Sequence, residues 1–136
     1  NVDGGIASGA ITESAGNSYP QYNFVIAANG GFKDLWTPNQ AAVTYTRRSM
    51  IMSGHVDVQC TVINAVLNVT LYINGSPVAD FKYDSGPNNE RLFVPLAYID
   101  NSITTAARTY LWKLTNSSSG TMTIKNGSVF WVIMRK

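Results

Sequence analysis

The chain has 136 residues, enough for one domain with a real core. Hydrophobic residues make up 45% and charged residues only 13%, with a formal net charge of +2, which excludes a disordered polyelectrolyte. The only basic runs are Arg47-Arg48 and Arg135-Lys136, too little for a nucleic-acid footprint.

With so few charges, the polar surface must be built from Ser, Thr, Asn and Gln. That suits an all-β module, or a chain that covers much of its surface with partner chains. Cys60 is the only cysteine, so no intrachain disulfide forms, and it reads as a small buried hydrophobe. No stretch approaches the roughly 20 apolar residues of a membrane span. No signal peptide is visible, and the missing initiator Met reads as a cleaved or excised fragment.

Residues 1–18 begin with a Gly-, Ser- and Ala-rich stretch, Asn1 to Gly16, too poor in apolar area for a core; they are expected to be an arm or linker, with 19–136 as the domain. Asn23 to Ala28 reads as a first strand, ended by Asn29-Gly30-Gly31. Phe32 to Asn39 reads as a loop anchored by Trp36. Val43 to Met52 and His55 to Val62 read as two strands separated by a Ser53-Gly54 break. The second puts Val56, Val58, Cys60 and Val62 on one face, and His55, Asp57, Gln59 and Thr61 on the other.

Leu67 to Ile73 repeats that alternation, and Asn74-Gly75 predicts a tight hairpin returning through Ser76 to Tyr83. Asp84 to Glu90 is the most loop-like stretch. Arg91 to Ile99 reads as a strand in which Pro95 limits pairing. The run from Arg108 predicts three strands: one around Leu111 to Asn116, Thr121 to Lys125, and Ser128 to Met134. Their turns would be Ser117 to Gly120 and Asn126-Gly127. Ser128 to Met134 is nearly continuous in apolar residues, the pattern of a strand covered on both faces. No segment sustains a 3.6-residue period. Eight or so short strands between Gly, Asn and Pro predict a sandwich or jelly roll.

Little here carries catalysis. His55 is the only histidine, so any Ser-His-Asp arrangement must use it; an exposed strand residue is the stronger reading. One His and one Cys do not make a zinc site, and the spacing of Asp80, Asp84 and Glu90 matches no calcium loop. No cofactor is implied. The N-x-S/T patterns at Asn68, Asn116 and Asn126 read as coincidence. Trp36, Tyr45, Tyr72, Tyr83, Tyr98 and Tyr110 admit a carbohydrate platform, but packing at an interface or core edge is favoured.

Leu71-Tyr72-Ile73-Asn74-Gly75-Ser76-Pro77-Val78 resembles the mid-domain hairpin of C1q/TNF-like jelly rolls, and the chain closes on a buried strand as they do. Ala107 to Tyr110 and Ser119 to Ile124 resemble the ends of viral and bacterial members, and Val2 to Ser8 is similar to segments of bacteriophage fibre and capsid-appendage proteins. The resemblance implies a homotrimeric phage structural protein of the virion, the head of a fibre that binds a host-surface glycan or protein. A capsid decoration protein gripping the shell through its arm, and a secreted C1q-like or lectin-like module, are the alternatives. The ligand-binding residues are then expected in end loops, at Asp84, Asn88, Asn89, Glu90, Ser118 and Ser119. Tyr72, Phe130 and Trp131 are expected at the trimer interface.

Overall fold

A computed structural model of the protein describes residues 11–20 and 22–135; these form ten β-strands and no helix. The strands are β1 (Ile11–Tyr19), β2 (Phe24–Ile26), β3 (Phe32–Trp36), β4 (Arg47–Cys60) and β5 (Val66–Ile73), followed by β6 (Ser76–Asp84), β7 (Arg91–Pro95), β8 (Tyr98–Asp100), β9 (Tyr110–Asn116) and β10 (Met122–Arg135). They build two antiparallel sheets. The larger has the order β1-β10-β4-β7, with β2 also on β10 and β8 also on β4; the smaller is β3-β9-β5-β6. Setting aside short β2 and β8, eight strands pass back and forth between two four-stranded layers, the connectivity of a jelly roll.

Alternation decides what each strand buries. In β5, Leu67, Val69, Leu71 and Ile73 point inward, and in β9 so do Tyr110, Trp112 and Leu114. Across the core they meet Met50, Met52, Val56 and Val58 of β4, and Val129, Trp131 and Ile133 of β10. Cys60 is buried among them, and burial pushes its thiol pKa up, as a structural cysteine requires. The Asn74-Gly75 hairpin forms as expected, with φ of 51° and 80°, the pair of positive angles that a type I′ turn needs.

Five expectations are corrected. Asn126-Gly127 is no turn: β10 runs unbroken from Met122 to Arg135 with only a register shift between Ile124 and Asn126. Ser53-Gly54 is no break either, because β4 is continuous. In both places glycine serves close strand approach, since a Cβ on Gly54 would lie 2.1 Å from the Ser128 carbonyl oxygen. Phe32 to Trp36 is a strand rather than a loop. Residues from Ile11 onward, read as part of an arm, form edge strand β1 along β10; residues 1–10 lie outside the described residues. The Arg91 to Ile99 strand divides into β7 and β8 after Pro95.

A buried guanidinium locks β1 in place. Arg47 donates from Nε and Nη2 to the Glu13 carboxylate (2.9 and 3.2 Å), and to the carbonyls of Ala41, Thr104 and Ala106. One side chain thus ties β1 to the β3–β4 and β8–β9 connections. Nearby, Arg108 pairs with Asp100 at 2.7 Å, and the buried Tyr110 hydroxyl donates to Gln40 Oε1. Burial pushes the Tyr110 hydroxyl up to about 12, so it remains a donor at any physiological pH.

Candidate functional site

Strand alternation also writes the outer faces. On the larger sheet, Ile51 of β4 lies opposite Val132 of β10 and Ile99 of β8, and Ser53 lies opposite Phe130. Phe93 of β7 stands opposite Asp57. Phe93 is 68% exposed, Ile99 62% and Phe130 39%, an unusual load of large apolar side chains for a solvent-facing sheet. Trp131 is the reverse case. Its parity matches that of Met52, its partner in register, so it points into the core, where its indole nitrogen donates to the Pro38 carbonyl at 2.8 Å. The expectation that Trp131 lines a subunit interface is therefore corrected, because adjacent strand residues face opposite ways.

Between those apolar groups lies a polar network centred on His55. Arg91 grips Asp57 with two hydrogen bonds (3.0 and 2.8 Å), and Asn126 Nδ2 donates to the same carboxylate at 3.3 Å. That turns Asn126 Oδ1 toward His55 Nε2, 3.2 Å away, so Nε2 carries the hydrogen. Nδ1 is left to accept from the Ser128 hydroxyl at 3.2 Å, while the ring stacks on Phe93 with centroids 5.1 Å apart. The Arg91 hydrogen bond holds the Asp57 carboxyl below the usual carboxylate range, with burial opposing it. Ser128, His55 and Asn126 thus stand in the order nucleophile, base, orienter. β4 and β10 each have strands on both sides, so the group sits on the outer face of a paired sheet. The network ties β4, β7 and β10 together across the outer face.

The end-loop residues are brought together. The connections after β2, β4, β6 and β9 meet at one end of the sandwich, joined by main-chain hydrogen bonds: Asn29 to Ser118, Thr61 to Thr121, Asn64 to Gly86, and Cys60 to Glu90. Asp84, Asn88, Asn89, Glu90 and Ser119 are exposed there. Asp84 and Asn89 spend one side-chain oxygen on the amides of Gly86 and Arg91, forming local turns. Ser118 departs from expectation: it is buried, its hydroxyl accepts from the Val66 amide at 2.6 Å, and its amide donates to Asn116 Oδ1. It closes the loop rather than meeting a ligand.

The outer face of the smaller sheet carries the surface that sequence reading resolved least. Register places Trp36, Leu111, Tyr72 and Pro77 in one row across all four strands, and Asp34, Lys113, Thr70 and Asp80 in the next. Phe32, Thr115, Asn68 and Lys82 form a third. Tyr72 and Phe130 therefore lie on opposite sides of the sandwich and do not form one patch. Among the six aromatic residues considered for a platform, only Trp36 and Tyr72 share a row. Phe32 to Trp36 alternates too briefly for its strand parity to be read locally.

No protein-family model matches the chain, and no curated protein matches it in sequence. Solved structures do match in fold. T=1 particles derived from infectious bursal virus match with a TM-score of 0.57 at 14% identity, over 90% of this chain and 31% of theirs. The infectious bursal disease virus VP2 subviral particle gives 0.54 at 12% identity, over 90% and 32%. The Gx strain of that virus gives 0.53 at 15%, over 91% and 33%. The chain spans about a third of the length of these proteins. It is similar to one part of a viral particle protein, a double-sheet jelly roll.

Proposed function

We propose that this chain is a non-enzymatic structural module of a virus particle: the C1q/TNF-like head of a trimeric bacteriophage fibre or capsid appendage, which contacts the host surface. The observation that carries this reading is the outer face of the larger sheet, where Phe93, Ile99, Ile51 and Phe130 stand exposed around the His55 network. A face of exposed apolar side chains around one self-compensating ion pair, Arg91 with Asp57, fits contact between copies of the chain. The fold likeness to a viral particle protein and the Leu71 to Val78 hairpin support it further.

Sedimentation velocity at micromolar concentration tests the assembly. The parent is expected to run as a trimer, and Phe130→Asp with Phe93→Asp as a folded monomer with an unchanged β-sheet spectrum. A parent that sediments as a monomer throughout that range would overturn the reading.

A further inference from the structure

The geometry points to the outer face of the smaller sheet as a binding platform for an extended, uncharged polysaccharide of β-linked pyranoses, seated across Trp36, Leu111 and Tyr72. This deepens the reading of the protein as a surface-binding head by naming the class of ligand.

A pyranose has apolar C–H faces and a rim of hydroxyls, so its receptor needs aromatic surface beside hydrogen-bonding groups. The two adjacent rows supply both. Trp36 and Tyr72 stand two strands apart, roughly 10 Å, and the whole row spans about 14 Å. That is a flat track for several linked sugars rather than a pocket for one. The polar row lies about 7 Å along the strands, within reach of the rim hydroxyls. It offers carboxylates at Asp34 and Asp80, an ammonium at Lys113 and a hydroxyl at Thr70. Asp34 also keeps one buried carboxylate oxygen without a hydrogen-bond partner.

Charge selects the ligand. Asp34, Asp80 and Asp84 stand against Lys113 and Lys82 on this face, so it is near neutral and lacks the cationic excess that a phosphate backbone requires.

Trp36 is held ready. It is half exposed, while its carbonyl accepts from Asn17 Nδ2 at 2.8 Å and from the Tyr19 hydroxyl at 3.2 Å. The carbonyl of Pro38, two residues on, accepts from the Trp131 indole. Lys113 sits over the Phe32 ring at 4.3 Å, and Thr70 donates to Asp80 at 2.6 Å. Such ordering before binding lowers the entropy lost on capture.

Cellohexaose and chitohexaose, both uncharged and β-linked, are the probes, read by tryptophan fluorescence and titration calorimetry. At least one is expected to bind saturably. Trp36→Ala and Tyr72→Ala should each weaken it about tenfold, with melting temperatures close to the parent's because both side chains lie on the surface. Phe93→Ala, on the opposite face, should bind as the parent does. The platform is overturned if neither hexaose binds up to its solubility limit, or if the Trp36→Ala/Tyr72→Ala protein binds like the parent. The outcome is separable from assembly: a monomer that binds a hexaose removes only the trimer, and a trimer that binds neither removes only the platform.

Discussion

Replacing Glu13 with Ala tests whether the chain from Ile11 onward belongs to the fold or merely trails from it. Arg47 has five N–H donors and the structure uses all of them, two on Glu13 and three on the carbonyls of Ala41, Thr104 and Ala106. The Arg47 side chain is fully buried, and that of Glu13 is 16% exposed. Glu13→Ala therefore strands a buried cation with two unmet donors. Breaking such a pair costs about 3–5 kcal/mol, and the lower end applies here because some water reaches the Glu13 position. For a chain of this size about 3 kcal/mol lowers the melting temperature by roughly 10 °C.

Thermal and urea unfolding by circular dichroism measure it, with an unchanged urea slope showing that the unfolded state is the same. Glu13→Gln keeps an acceptor and should lose less. Arg47→Met with Glu13→Leu should recover much of the loss, since neither charge then needs desolvating. A Glu13→Ala protein melting within about 2 °C of the parent would refute this account. The same logic predicts that deleting residues 1–16 damages the fold, not merely an attachment arm.

Trp131→Ala should destabilise by about 3–5 kcal/mol independently of protein concentration, because it empties core volume, whereas the effect of Phe130→Ala should grow with dilution if it acts through assembly; equal concentration dependence would contradict the assigned faces. Acid should also destabilise the protein. Burial pushes the Asp100 carboxyl up, but the hydroxyl and amide of Ser102 and the Arg108 guanidinium outweigh it, and its net pKa lies below the ordinary value. Its contribution is thus present above the unfolded-state value of about 4 and lost as pH falls through the lower folded-state value. Melting temperature should drop below about pH 4, and less steeply in Asp100→Asn; parallel acid limbs would exclude Asp100 as a source.

Much of the fold was legible where a strand alternates over many residues. The inward set Val56, Val58, Cys60, Leu67, Val69 and Leu71 follows from sequence parity alone, because a strand turns successive side chains to opposite faces. Asn74-Gly75 was equally legible, since few other pairs accept two positive φ angles. The same dipeptide logic failed at Asn126-Gly127. There Asn126 is held by His55 and Asp57, and Gly127 lies against the β4 backbone; those partners are some 70 residues away in sequence and leave no local mark. Ser118 was misjudged for a related reason, as a polar loop residue looks the same whether it meets solvent or the Val66 main chain.

The sequence by itself determined that this is an all-β chain of alternating strands, with a defined inward face and a hairpin at Asn74-Gly75. Those properties rest on side-chain period and backbone sterics within a few residues. Only the tertiary structure decided that β4 and β10 run unbroken, that Arg47 recruits β1 through Glu13, and that Trp36 and Tyr72 fall in one row. Each depends on register between strands remote in the chain, which pairing across the whole sheet sets and no short stretch encodes.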